Sequence, residues 1–150
     1  ATQRQRLQRR MLVHALKTVL RLLIHPIRRA GSLTTSLSVE TCEHLRAALE
    51  HGGNTHDLKD VVDMLNNGDA KIRCGEKSTI VWQEFKHPNA NQIHFWLAGG
   101  DLKDIVKNGH EIAAEAKKRN FTKVSIIGRP GWERKLKGFR EAGVILTREF

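Results

Sequence analysis

The sequence predicts an α+β domain with a central mixed sheet flanked by helices, preceded by a basic amphipathic N-terminal helix. Three observations carry that expectation. Two capped, helix-length stretches come before three strand-like runs joined by hairpin-type loops. A second pattern follows, of helix, apolar strand, short helix and last strand, and the whole order fits one mixed sheet. Finally, charge is divided unevenly along the chain. The first 39 residues hold eight Lys or Arg and no Asp or Glu, whereas the remaining 111 hold 18 basic and 16 acidic side chains. Of the net +10, +8 therefore sits on the N-terminal quarter, which points to a polyanionic partner for that segment. The expected layout is an arm over 1–29, a linker over 30–38 and a domain over 39–150.

Within the arm, Arg10, His14, Lys17, Arg21, His25 and Arg28 recur every three or four residues, the spacing of one helical face. Leu12, Leu16, Val19, Leu23 and Ile27 form another face, widened by Val13, Leu20 and Ile24. Pro26 ends or kinks the helix, since it lacks an amide proton and clashes with the preceding turn. So broad an apolar arc needs a cover. The expected one is a second subunit, packed on Leu12, Leu16, Val19, Leu20, Leu23 and Ile27, with Arg4, Arg6, Arg9, Arg10, Lys17, Arg21, Arg28 and Arg29 near nucleic acid. Docking on the chain's own domain and binding to a membrane surface are the alternatives. The arm has no aromatic residue, so phosphate contact without base readout is the expected form of DNA binding. Its Arg-rich, acid-free composition also matches a mitochondrial transit peptide, but the segment is read as part of the working protein.

Composition narrows the remaining classes. Cys42 and Cys74 lie far apart with no CxxC pair, so buried or unreactive thiols in a reducing compartment are expected. No apolar run approaches the roughly 18 residues of a membrane span. His51 and His56 have Gly52-Gly53 between them and no third ligand at diagnostic spacing, so no structural metal is expected. Cys42 and His44 stand two apart on one expected helix and point to different sides, so a nucleophilic triad has no support there.

Along the domain, Ser38 caps a helix over 39–50 that Gly52-Gly53 stops. A second helix begins after Thr55, shows Leu58, Val61, Val62 and Leu65 on one face, and ends at Asn66-Asn67-Gly68. Strands are expected at 70–74, 79–85 and 92–97, with loops Gly75-Glu76-Lys77 and His87-Pro88-Asn89-Ala90-Asn91. Ala98-Gly99-Gly100-Asp101 leads into a helix reaching Arg119, interrupted at Asn108-Gly109. An apolar strand over 123–128, a short helix over 131–138 and a last strand over 143–149 complete the order.

Alternation puts Ile80, Trp82 and Glu84 on one face of the second strand, and Gln92, His94 and Trp96 on one face of the third. Should the two faces coincide, Trp82, Glu84, His94 and Trp96 form an aromatic cleft with an acid/base pair. The favoured expectation is a half-buried sheet face with tryptophans under a helix and Glu84 and His94 reaching water, because a one-residue slip exchanges the faces. Arg129, Pro130, Gly131 and Trp132 form a structural corner between strand and helix. There Trp132 plugs the sheet edge and Arg129 pairs with a carboxylate or the C-terminus; an anion or partner site is the second reading.

This order of elements resembles the Gcn5-related N-acetyltransferase (GNAT) fold, in which the third meander strand feeds directly into the main helix. The motifs Gly53-Asn54-Thr55-His56, Phe95-Trp96-Leu97-Ala98-Gly99-Gly100-Asp101 and Gly128-Arg129-Pro130-Gly131-Trp132 resemble a narrower group: small GNAT-like proteins of tailed bacteriophages, found among virion structural genes. In active members of the fold, a Q/R-x-x-G-x-G/A loop wraps the pyrophosphate of acetyl-CoA at the helix N-terminus. Ala98, Gly99, Gly100 and Asp101 stand at that place without the Arg or Gln and with adjacent glycines, so they read as a vestigial loop. Asp101 is set to cap the helix itself, and the chain has no tyrosine to protonate a departing thiolate. The resemblance thus implies a degenerate GNAT-like domain with no catalytic residues, no cofactor and no metal. It implies a virion component, made in the host bacterial cytoplasm and lying in the internal core or near the portal. Homo-oligomers, other virion proteins and packaged DNA are the implied partners. An N-acetyltransferase with an altered phosphate loop and a membrane-active ejection factor are the alternatives.

Overall fold

The structure, a computed structural model, describes residues 37–128 and 131–150. The arm, the linker up to residue 36, and Arg129 and Pro130 lie outside the described residues, and with them every position assigned above to the arm helix. The described residues belong to one compact unit.

Local chemistry sets the first two helices. Helix α1, Val39–His51, starts where the Ser38 hydroxyl accepts the Thr41 amide at 3.1 Å. Its last turn closes as the Gly52 amide donates to the Ala48 carbonyl. Helix α2, Leu58–Asn67, begins at Asp57 with a reciprocal cap. Asp57 Oδ1 accepts the Asp60 amide at 3.0 Å, and Asp60 Oδ2 accepts the Asp57 amide at 2.8 Å. Both helices lie where they were expected.

The sheet follows in the order β1-β2-β3-β4, with β1 Lys71–Cys74, β2 Ser78–His87, β3 Ala90–Gly100 and β4 Lys123–Ile126. The first three strands are antiparallel neighbours and β4 runs parallel to β3, so the sheet is mixed. Helix α3, Leu102–Lys118, connects β3 to β4. On one face Val81 and Leu97 pack with Leu45, Ala48, Leu49 and Val61 of α1 and α2. On the other, Ile80, Trp82, Ile93 and Phe95 pack with Ile112 and Ala116 of α3. Two apolar clusters on opposite faces of one sheet leave β2 and β3 buried from both sides.

Three sequence expectations need correction. Helix α3 is not interrupted at Asn108-Gly109; Asn108 is buried and donates its side-chain amide to the Asp104 carbonyl at 2.9 Å. Burial of Ile112 and Ala116 outweighs the weak helix propensity of those two positions. The short helix over 131–138 shrinks to one 3-10 turn, Trp132–Arg134, between Gly131 and Gly138 at positive φ. So short a window cannot sustain the helix nucleus. Residues 143–149 form no strand: they are exposed and have no ladder partner. Strand-like composition makes a strand only when another backbone pairs with it.

A Cβ added at Gly109 would meet nothing within 4 Å. Gly109→Ala should therefore stabilise the domain by about 0.5–1 kcal/mol through lower unfolded-state entropy, read as a higher urea midpoint at unchanged slope.

Candidate functional site

Strand β3 carries one residue more than β2 at its centre. Val81 pairs with Leu97 and Trp82 with Phe95, which leaves Trp96 unmatched. The bulge turns Trp96 to the α1–α2 face beside Leu97, while Phe95 stays on the α3 face. Each expected strand-face trio holds, but the two trios lie on opposite faces of the sheet. Trp82 and Glu84 belong with Ile93 and Phe95, whereas His94 stands across from Gln83. The cleft of Trp82, Glu84, His94 and Trp96 does not form.

A different cleft opens beside the bulge. The β3–β4 ladder ends at Phe95 opposite Ile126, and β3 continues to Gly100 paired with β2 on its other side. The space between the diverging strands is an open cleft of about 500 Å³ bounded by Trp96, Gly99, Ala48, Leu102, Ile127 and Trp132. Residues 95–100 of the second motif line it, and each of the other two motifs contributes one ring at its wall. His56 lies edge-on to Trp96 with ring centroids 5.1 Å apart, and Trp132 of the corner lines the same cleft. Trp132 also packs on Gly128 and borders a small apolar cavity with Phe95 and Ile126. The remaining β3 edge and these apolar walls suit an extended, largely apolar chain.

The entrance to α3 is shaped for packing. A Cβ on Gly99 would stand 2.2 Å from the His44 carbonyl oxygen of α1, and one on Gly100 would stand 2.2 Å from the Lys77 carbonyl. Gly100 also has φ of 108°, a backbone that side chains disfavour. Both glycines therefore let neighbouring backbones close onto β3. The Asp101 amide donates to the Lys77 carbonyl at 2.8 Å. Its carboxylate, as expected, caps α3 by accepting the Asp104 amide at 3.0 Å. Asp104 Oδ2 accepts the Ser78 hydroxyl at 2.6 Å and the Lys77 amide at 3.0 Å, and these bonds hold its carboxyl below the ordinary value. Two carboxylates thus occupy the end of the helix that favours anions, repelling a phosphate and engaging an amide it would need.

Ser125, which the sequence reading missed, joins Gln92 and His94 below the bulge. Gln92 Nε2 donates to Ser125 Oγ at 2.6 Å, and that hydroxyl lies 2.9 Å from His94 Nδ1. Burial pushes the His94 imidazole down and favours its neutral form. With Gln92 donating to Oγ, the serine proton can be given to Nδ1. No carboxylate is bonded to this imidazole among the described residues. On the opposite face burial works against ionisation of Glu84, but hydrogen bonds from Arg119 at 2.5 Å and Lys71 at 3.0 Å prevail and hold its carboxyl down at about 2. Arg119 also stacks over Phe121, 4.9 Å from the ring centre. Glu84 is an anchor between β1, β2 and α3, committed to its cations.

The thiols differ from expectation in one respect: Cys74 is exposed, with its Sγ 3.6 Å from Thr41 Oγ1. Strand β1 lies at the sheet edge, so its last residue gains no cover. Among the described residues, no group of three or more His, Cys, Asp or Glu is placed to hold a metal, and no helix is long and apolar enough to cross a membrane.

No protein-family model matches the chain, and no curated protein matches it. Among solved structures, it is similar to a crystal structure of a TTHA1254 variant from Thermus thermophilus. The TM-score is 0.50 at 12% identity, covering 73% of this chain and 92% of that one. That similarity concerns the α+β fold alone.

Gly99→Ala should cost at least about 2–3 kcal/mol, because the clash is with backbone that cannot rotate away; a lower urea midpoint would report it. Glu84→Gln should cost about 1–2 kcal/mol at pH 7 after allowing for the half-exposed cations. Since the folded-state value lies near 2 against an ordinary 4.5, this stability is complete above about pH 4.5 and lost as pH falls toward 2. Urea melts of parent and variant should accordingly diverge at pH 7 and converge near pH 2.

Proposed function

We propose that this chain is a non-enzymatic structural protein of a tailed-bacteriophage virion, with a GNAT-like domain serving as a packing module. Its basic arm makes subunit contacts and lies near packaged DNA, in the internal core or next to the portal. The observation that carries the loss of acetyl transfer is the entrance to α3. Gly99 and Gly100 are taken up by backbone packing, and Asp101 and Asp104 put negative charge where a pyrophosphate would bind. The resemblance of the three motifs to phage virion proteins supports the location, and the eight arm cations support the polyanionic partner.

A second reading, acetyl-CoA-dependent N-acetyl transfer, draws on the apolar cleft beside Trp96 and on the neutral His94–Ser125 pair. Hydrogen exchange separates the two. On the structural reading, acetyl-CoA leaves the amides of residues 98–102 unprotected; strong protection there would establish the enzyme reading. The arm is tested by anisotropy with duplex DNAs of unrelated sequence. Affinity should be sequence-independent, with a log–log salt slope that approaches about −7 if all eight cations engage, and deletion of 1–29 should abolish binding. Retention of DNA binding after that deletion would remove the arm from the assignment.

A further inference from the structure

We propose that the outer face of α3, together with the C-terminal segment that follows β4, is a docking surface for an anionic lipid bilayer. This surface is independent of both the arm and the virion reading. The small net charge of the domain conceals a separation of charge across the sheet. Residues 39–69, which carry α1 and α2, hold seven Asp or Glu against two Lys or Arg, and all seven acidic residues are exposed. Residues 117–140 hold nine Lys or Arg and a single acid, Glu133. The α1–α2 layer and α3 lie on opposite faces of one sheet, so their charges do not neutralise each other by contact.

Helical spacing concentrates the positive charge. Lys103, Lys107, His110, Ala114 and Lys117 recur every three or four residues along α3, with Lys118 beside them, and all are exposed. They lie opposite the buried stripe of Asn108, Ile112 and Ala116. The acidic side chains of α3 are turned toward the first two strands instead. Asp104 bonds to Ser78 and Lys77, and Glu111 and Glu115 bond to Arg73. After β4, Trp132, Leu136 and Phe139 close a small apolar cavity with Ile105 and Gly109 of α3, while Arg134, Lys135, Lys137 and Arg140 are exposed. Eight Lys or Arg thus stand on the α3 side of the sheet.

Positive charge alone suits any polyanion; the residues that follow decide for lipid. Soon after Arg140 the chain presents Val144, Ile145 and Leu146, which are 76%, 61% and 90% exposed, and a fully exposed Phe150. Arg148 lies over the Phe150 ring, 5.4 Å from its centre, and such a pair of cation and aromatic ring suits the headgroup level of a bilayer. The acidic Glu141 and Glu149 of this segment are offset by Arg140 and Arg148. Nucleic-acid phosphates would engage the lysines and leave the apolar side chains in water. An anionic bilayer takes up both: its headgroups bind the cations, and the boundary beneath them covers the aliphatic residues. No helix among the described residues is long and apolar enough to cross a membrane, so the contact is with its surface. The acidic α1–α2 layer is then held on the far side of the sheet, away from the anionic headgroups.

An environment-sensitive dye tests this in the full-length chain. With both native cysteines replaced by serine, Val144→Cys carries an NBD label. It is mixed with vesicles of phosphatidylcholine alone, or of phosphatidylcholine and phosphatidylglycerol in equal parts. The emission should shift to the blue with the anionic vesicles only. Combining Lys103→Gln, Lys107→Gln, Lys117→Gln and Lys118→Gln should raise the lipid concentration needed by ~100-fold or more. Leu146→Asp, at a position in open water, should abolish the shift. Vesicle binding with the probe still in water would assign the membrane contact to the arm and overturn the proposal, as would failure to bind vesicles. A blue shift that both sets of substitutions leave unchanged overturns it too. One that appears without vesicles and grows with protein concentration replaces the bilayer by a second copy. An unmoved probe, with duplex-DNA affinity weakened by the four Lys→Gln changes, replaces it by nucleic acid.

Discussion

The pairing of β2 with β3, with one unmatched residue at Trp96, is the constraint on which the rest of the domain depends. These two strands share ten paired positions, and every other element packs on or beside them. Their register decides that Val81 and Leu97 face α1 and α2 while Trp82 and Phe95 face α3. The bulge lets Phe95 and Leu97 serve opposite clusters although they lie two apart, a spacing that would put them on one face of a regular strand. Without the extra residue, Leu97 would leave its cluster or Phe95 would leave the other.

The same irregularity shapes the surface. Beyond Phe95 the third strand no longer has β4 beside it, and the gap becomes the apolar cleft at Trp96. Close approaches then fix the upper end of β3: α1 closes onto Gly99, and the β1–β2 turn onto Gly100. Asp104 ties that turn to the start of α3 through Ser78 and the Lys77 amide. A loop that superficially resembles a phosphate cradle is thereby explained as a junction of three backbones. Its two carboxylates give the junction a charge opposite to the one an anionic cofactor needs.

Charged side chains play a connecting role throughout. Arg73 bridges β1 to Glu111 and Glu115 of α3 at 3.3 and 2.6 Å, and Glu84 gathers Lys71 and Arg119. The cations involved are partly exposed, so each bridge is of modest strength, and their value lies in fixing α3 and β1 over the same face. His94, Ser125 and Gln92 link β3 to β4 on the opposite face. The domain's polar chemistry is thus spent largely on joining strands to their neighbours.

By itself the sequence determined the element order as far as β4, both helix starts, the three-strand meander, the Asp101 cap and the pairing of side chains within each strand face. These are local properties: capping needs a side chain within three residues, and alternation needs only neighbours. Tertiary structure alone decided which faces coincide, because register is set between strands and a single bulge changes it. It alone placed Ser125 beside His94, 31 positions apart, and Arg119 beside Glu84, 35 apart. It also carried α3 through Asn108-Gly109, where burial exceeds propensity, and left 143–149 without a partner. Strand composition is written in the chain, but a strand exists only where a second backbone meets it.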